Sequence, residues 1–477
     1  MSFVNNENIL KVLNSYNLWW KTGSVPQGYS KPMKRFAYYE SEKAFKHKLL
    51  RRFVILSGTR RVGKTTIMYQ QIETLLNEQV NPKNILYVSF DNPLLKFCTL
   101  NDIIDNYTSN ILYDEEQAIY LFLDEIQYAQ DWNNWLKVFY DVNPNWRIVA
   151  TGSAIPVLDK GSTESGTDRW ITIPVPTLSF YEYLELIGVE NNRIPGGLNI
   201  YDLQDMSQKE LNNIINILEP LQKHFIRYIT VGGFPELVLS DDDIYSKRIL
   251  RDDIADKVLK RDIPALFNIR NVSILEKLFL YLCFNSSSII NYTTMSQTLE
   301  NVSVPTLQDY VDYLERANLI YISNPIDMGG KQALKVKPKI YIVDSAIRNA
   351  VLMKDDILTD PVEMGYVVET AVFRHITTYA YKDNAKVGYY RDSRTDKEID
   401  IVSASVKNKY YIEIKYRENS SVKADNPLYN IADKNDRAFV ITKNSADYGV
   451  IQLNSGMSVV KIPVYAFLYL TGMEEKQ

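Results

Sequence analysis

Cysteine and histidine are nearly missing from this chain. It has two cysteines, Cys98 and Cys283, and three histidines, His47, His224 and His375. Zinc needs closely spaced Cys, His or carboxylate ligands. No H-x-E or H-E-x-x-H pattern occurs, so a zinc site is not expected. Two scattered thiols build no disulfide framework, and with no secretory signal the expected compartment is a reducing cytoplasm. Excess positive charge is also lacking. The 54 Lys and Arg are outnumbered by 58 Asp and Glu, for a net charge of −4. No global field draws the protein onto nucleic acid or anionic lipid, so any DNA contact must use a local patch. No apolar run reaches the roughly 20 residues of a membrane span, and there is no low-complexity tract. What is present is an ordinary apolar content of 45% over 477 residues. That is too long for one core, and about two to four domains are expected.

The most informative stretch is Gly58-Thr59-Arg60-Arg61-Val62-Gly63-Lys64-Thr65, followed by Thr66. It fits the phosphate-loop pattern G-x-x-x-x-G-K-[ST]. An apolar strand, Phe53 to Leu56, precedes it, and a helical pattern from Thr66 to Ile72 follows. Gly58 and Gly63 let backbone N–H groups turn inward onto phosphate oxygens, beside a helix N-terminus that favours anions. Lys64 is placed to reach the β- and γ-phosphates, and Thr65 to ligate Mg²⁺.

Three further apolar strands follow: Asn84 to Phe90, Ala118 to Leu123 and Trp146 to Ala150. Near-continuous apolar runs suit parallel strands covered on both faces. Ligands in such sheets sit at the carboxyl ends of strands. Asp124 and Glu125 stand at such an end. Asp124 is the expected Mg²⁺ partner through water, and Glu125 the expected base for the attacking water. Thr151 and Ser153 at the next strand tip either reach the γ-phosphate or form a hydroxyl-rich turn. Arg169 follows a Gly/Ser/Thr-rich loop, Gly161 to Thr167. It is either a finger for the transferring phosphoryl group, from its own chain or a neighbour, or a surface arginine.

The loop GTRRVGKTT, the strands ending LDEIQ and ATGSA, and the later segments PTLSFYEYL and YITVGGFPELV resemble a family of bacterial and archaeal P-loop ATPases related to AAA+ proteins. That family carries an additional C-terminal region of long-unassigned function. The resemblance covers nearly the whole chain beyond residue 50. It implies ATP bound at Gly58 to Thr66, Mg²⁺ at Thr65 and Asp124, and hydrolysis assisted by Glu125. The family's Gly-Arg pair is matched here by Asp168-Arg169.

Residues 186–270 read as helical and irregular, with Val231 to Pro235 a sharp turn. Residues 271–345 read as three helices and a hairpin, the order of a winged helix. The third helix displays Asp309, Asp312 and Glu315, which repel phosphates. The wing, with Lys331, Lys335, Lys337 and Lys339, is the better backbone contact. A protein-packing adaptor is the other reading of this module.

A second constellation lies near the C-terminus. Glu369 shares a helix face with Val372, Phe373 and Ile376. A carboxylate on an apolar face needs a compensating partner. Two strands follow, Lys397 to Val402 and Tyr410 to Tyr416, joined through Lys407-Asn408. Alternation puts Glu413 and Lys415 on one face, where Asp400 of the paired strand can join them. Helix Glu, then Asp, then E-x-K resembles the restriction-endonuclease-like nucleases, the PD-(D/E)xK superfamily. The resemblance implies Mg²⁺ gathered by Glu369, Asp400 and Glu413, and a water handled by Lys415.

The expected fold class is α/β: an N-terminal arm (1–48), a P-loop AAA+-like core (49–185), a helical linker (186–270), a winged-helix-like module (271–345) and a nuclease-like α/β domain (346–477). The expected function is ATP hydrolysis coupled to a Mg²⁺-dependent nuclease-like domain acting on DNA. The rival is a nucleotide-dependent switch that binds a protein or nucleic-acid partner and cuts nothing. Candidate partners are DNA, a protein and a second copy of the chain. A membrane is not among them.

Overall fold

The computed structural model describes residues 5–47, 49–153, 169–189, 194, 197–326, 337–354, 357–392, 395, 397–406, 408–423, 425–430, 436–453 and 456–476. The expected loop from Gly161 to Thr167 and the wing residues Lys331 and Lys335 lie outside them. The chain divides into two compact units. The first is Met1–Val175 with Arg316–Asn318, and the second is Pro176–Glu315 with Leu319–Gln477.

The first unit is built on a five-stranded sheet of β1 (Phe53–Ser57), β2 (Ile85–Ser89), β3 (Ile119–Asp124), β4 (Trp146–Gly152) and β5 (Trp170–Pro174). The spatial order is β2-β3-β4-β1-β5, and every pair is parallel. These strands are apolar along most of their length because helices cover both faces. Ile55, Leu86, Val88, Leu121, Leu123 and Ile148 lie in one buried cluster with side chains of the helices Leu100–Asn110 and Trp132–Val142. The N-terminal arm forms the helices Asn6–Tyr16, Trp19–Thr22 and Phe36–Phe45. It closes the exposed edge of β2. The indole N–H groups of Trp19 and Trp20 donate to the Ile85 carbonyl at 3.1 and 2.9 Å, and the Asn17 side chain bonds both backbone groups of Tyr87. An edge strand capped this way offers no free ladder to another chain.

The second unit is organised by a nine-stranded sheet: β6 (Ser288–Ile289), β7 (Ile320–Pro325), β8 (Lys339–Ile342), β9 (Lys386–Arg391), β10 (Glu398–Ala404), β11 (Lys409–Lys415), β12 (Arg437–Thr442), β13 (Gly449–Gln452) and β14 (Ser458–Pro463). The order is β13-β14-β12-β11-β10-β9-β7-β8-β6. The helices Val272–Phe284, Tyr292–Thr298 and Val304–Arg316 precede the β7–β8 hairpin, as the sequence suggested. The boundary expected between residues 345 and 346 is crossed by hydrogen bonds. β7 pairs with β9 in parallel, Asn324 opposite Gly388. A Cβ on Gly388 would stand 2.0 Å from the Asn324 carbonyl oxygen, so this seam needs glycine. The three strands of the middle module and the six that follow therefore form one sheet. The helix Pro361–Lys382, which carries Glu369, packs on β8, β9 and β10. The expected helical character of 186–270 is met by Gln208–Leu218, Gln222–Val231 and shorter turns. Gly232, at φ +77°, turns the chain sharply before the helix Pro235–Val238.

Candidate nucleotide site and a second carboxylate cluster

The phosphate loop follows β1 directly, and Gly63 at φ +96° leads into the helix Lys64–Asn77. A Cβ on Gly58 would lie 2.1 Å from the Val175 carbonyl oxygen. The loop passes too close to the chain leaving β5 for any side chain there. Arg61 also adopts a left-handed conformation, φ +64°. The Val62 carbonyl accepts from the buried Arg35 guanidinium at 2.7 Å, and Arg60 donates to the Tyr128 hydroxyl at 2.9 Å. The Lys64 ammonium caps the Gly58 and Thr59 carbonyls at 2.7 and 2.9 Å. Among the described residues the buried Thr59 hydroxyl has no hydrogen-bond partner, a polar atom suited to a polar ligand.

β4 lies between β1 and β3, so the tip of β4 bridges the loop and the acidic pair. Asp124, 4% exposed, accepts from the Thr65 hydroxyl at 2.9 Å and the Tyr87 hydroxyl at 2.8 Å on one oxygen. Its other oxygen accepts from the Thr151 hydroxyl. Thr151 in turn accepts from the Glu125 backbone N–H at 3.0 Å. Gln127 donates to the Glu125 carboxylate and to the Ser153 hydroxyl, the latter at 3.2 Å. Burial raises the Glu125 pKa, Lys64 opposes that, and Asp124 adds to it. A base raised toward neutrality is better matched to proton transfer. A Thr hydroxyl against a carboxylate is a hard-oxygen pair of the kind Mg²⁺ takes, so Thr65 and Asp124 fit that ion.

Sequence reasoning singled out Thr65, Asp124, Glu125, Thr151 and Ser153, and the structure brings them together. Arg169 is elsewhere. Its carbonyl accepts from the Phe53 N–H at 2.9 Å, which puts it at the amino end of β1, opposite the loop. Its guanidinium holds Asp141 through two bonds of 3.0 Å. Parallel pairing of β1 with β5 excludes it as a finger to the phosphate loop of its own chain. Tyr87, Gln127 and Asn318 were missed. Asn318 donates to the Ser153 carbonyl at 3.1 Å and the Ser57 hydroxyl at 3.3 Å, and no local motif marks it. A hydrogen-bonding tyrosine in an otherwise aliphatic strand is the signal that could have found Tyr87.

The second cluster lies in the C-terminal unit. Glu369, Asp400 and Lys415 line a cavity of about 390 Å³. Glu413 and Lys415 line another of about 350 Å³, together with Lys397, Arg417 and Lys423. The Asp400 carboxylate accepts from the Ile414 N–H at 2.7 Å. One Glu413 oxygen is held by Lys415 and, at 3.1 Å, by Asn426. The other is buried without a partner. Glu369 is pushed up to about 7, chiefly by burial and with help from Asp400. Burial and Asp400 likewise raise Glu413 against Lys415. The four expected residues are thus neighbours, but not as a metal centre. Among the described residues no three Asp, Glu, His or Cys side chains converge as a metal-holding group. An unexpected residue, Lys339, sits among the carboxylates. Its ammonium is 2.7 Å from Glu369, 3.4 Å from Glu398 and 3.9 Å from Asp400. The sequence places Lys339 on the wing, as a candidate phosphate-backbone contact. It is instead 1% exposed, because β8 lies inside the sheet, between β7 and β6. The residues present do not fit a divalent ion at Glu369 and Asp400 while that ammonium is there.

Fold and site together define a P-loop NTPase domain in the first unit: a parallel sheet, a glycine loop entering a helix, and Asp-Glu at a neighbouring strand end. Comparison with known families agrees. Residues 50–184 match the AAA domain, residues 222–357 a domain of unknown function (DUF8612), and residues 364–465 another (DUF4143). Over residues 50–184 the chain is thus similar to AAA domains. Curated relatives extend over most of the chain. An uncharacterized protein of Haemophilus influenzae is 25% identical over 82% of this chain and 88% of its own length. The uncharacterized protein MJ1637 of Methanocaldococcus jannaschii is 28% identical over 80% of each. Among solved structures, the Aeropyrum pernix ORC1 protein in complex with DNA aligns with 70% of this chain and 96% of its own, at 10% identity and a TM-score of 0.31. No helix among the described residues is long and apolar enough to cross a membrane.

Proposed function

We propose that the chain is a Mg²⁺-dependent ATPase whose nucleotide state governs binding of a phosphodiester backbone by the C-terminal half. The observation that carries the first part is the Asp124 carboxylate held by Thr65, Tyr87 and Thr151, with Glu125 beside it. Lys64 and the loop N–H groups bind the phosphates. Thr65 and Asp124 would hold Mg²⁺, which would supply charge neutralisation at the phosphates. Glu125 accepts the proton of the attacking water, and Gln127, anchored on Ser153, orients its carboxylate. The test is phosphate release with Mg²⁺ or EDTA. Wild type turns over only with Mg²⁺. Lys64→Ala and Glu125→Gln turn over at least about 100-fold more slowly than wild type.

The second part is supported by Arg417 and Lys423 in the cavity they line with Lys397, paired to Asp425, Lys415, paired to Glu413, and Glu398, a small local excess of positive charge on an acidic chain. Charged side chains of this kind grip phosphates without reading sequence. The rival is cutting, in which Glu369, Asp400 and Glu413 gather Mg²⁺ and Lys415 handles the water. The basic lining serves either reading, but the ammonium of Lys339 among those carboxylates favours binding. Plasmid nicking with Mg²⁺ or Mn²⁺, with and without ATP, separates them. Binding predicts retention of DNA and an intact plasmid. Nicking that is lost in Glu413→Ala would establish cutting instead.

A further inference from the structure

The carboxylates Glu369, Glu398 and Asp400 need a counter-ion, and the fold already supplies one. β8 is a central strand at Lys339. Its neighbours there are Ser323 of β7 and Ile289 of β6, so the backbone carrying the ammonium is held on both sides. The side chain is almost wholly buried. Its Nζ makes a 2.7 Å ion pair with Glu369, and the Tyr341 hydroxyl donates to the same Glu369 oxygen at 2.8 Å. Asp400 commits its other oxygen to the Ile414 N–H. A divalent ion on Glu369 and Asp400 would need these same oxygens at about 2.0–2.6 Å. It would also stand within a few ångström of a buried positive charge, where repulsion is poorly screened.

We infer that Lys339 is the resident cation of this site. It fills electrostatically the place where the resemblance to restriction-endonuclease-like nucleases would put a metal, and it keeps divalent ions out. This deepens the proposed binding role of the C-terminal half and rests on it. A second observation points the same way. Among the described residues one Glu413 carboxylate oxygen is buried with no partner, so the neighbourhood retains acceptor capacity beyond what Lys339 and Lys415 take up. Removing Lys339 should create a metal site.

The test is Mn²⁺ binding to the full-length, nucleotide-free protein, followed by electron paramagnetic resonance and calorimetry. Asp400→Asn assigns the site. Wild type is expected to show no Asp400-dependent Mn²⁺ site up to about 1 mM, the weak end of functional divalent sites. Lys339→Met is expected to gain one, at least ~10-fold tighter than any in wild type, because a buried like charge is removed. A Lys339→Met chain that unfolds without metal and refolds with Mn²⁺ gives the same answer. If that variant does not fold in either condition, the milder Lys339→Gln is read in its place, and it too should gain the Asp400-dependent ion. An Asp400-dependent Mn²⁺ site in wild type overturns the inference, as does a folded lysine variant that gains none. ATP turnover and DNA retention are read separately, so failure here is distinguishable from failure of the proposed function.

Discussion

Thr151→Val is the sharpest probe of the nucleotide site. The residue is fully buried at the tip of β4. Its hydroxyl donates to Asp124 and accepts from the Glu125 N–H. Valine keeps the shape and removes both bonds. The Glu125 amide and one Asp124 oxygen are then buried without that partner. Each costs about 1–3 kcal/mol, with the carboxylate at the upper end. The sum, roughly 4–6 kcal/mol, is a large share of the about 5–15 kcal/mol that stabilises an ordinary domain. Urea denaturation read from tryptophan fluorescence measures it, because the first unit contains Trp132, Trp146 and Trp170. Catalysis should fall further than binding. Glu125 loses its backbone anchor, and a displacement of about 1 Å costs on the order of 100-fold in rate. Thr151→Ser keeps the hydroxyl and loses one methyl group. It should cost about 1 kcal/mol and leave turnover near wild type. If Thr151→Val folds with wild-type stability and hydrolyses ATP at the wild-type rate, the bridging role of β4 is refuted.

Three other outcomes are expected. Glu125→Gln should bind ATP like wild type and hydrolyse it about 100- to 10,000-fold more slowly, seen by comparing nucleotide fluorescence titration with single-turnover phosphate release. Gly58→Ala should weaken ATP binding and cut turnover on the order of 100-fold, since its Cβ would meet the Val175 carbonyl at 2.1 Å; unchanged titrations would contradict that contact. His375 is buried, with Nε2 accepting from the Phe180 N–H at 2.9 Å and Nδ1 against the Ala371 carbonyl at 2.7 Å. Burial and then Arg374 hold its pKa well below the usual value of 6.5. The unfolded chain therefore takes a proton that the folded chain refuses. Stability should fall below about pH 6.5, by up to ~1.4 kcal/mol per pH unit. The difference in urea midpoint between wild type and His375→Gln should shrink on acidification, and a constant difference would show that His375 does not titrate on unfolding.

The first unit could be read from the chain because its signals are local. Gly58 to Thr65 is continuous, and the acidic pair ends an apolar run. Parallel strands buried on both faces need no partner to be recognised. Arg169 shows the limit of such reading. Its place at the amino end of β1 follows from which strand pairs with which, and chain order carries no trace of that. The middle and C-terminal regions were legible as elements, but not as one sheet. The β7–β9 seam joins Asn324 to Gly388, across a sequence gap that no periodicity spans.

The sequence by itself determined that a glycine-rich loop of the G-x-x-x-x-G-K-[ST] pattern, an acidic pair at a strand end and a line of carboxylates with E-x-K exist on this chain, because each depends on a few adjacent residues. Only the tertiary structure decided what neutralises those carboxylates. A lysine from β8 and a glutamate from the helix Pro361–Lys382 meet because a buried charge must be paired, and pairing is a property of position in space. In the sequence, Lys339 looks like every other lysine of a basic turn.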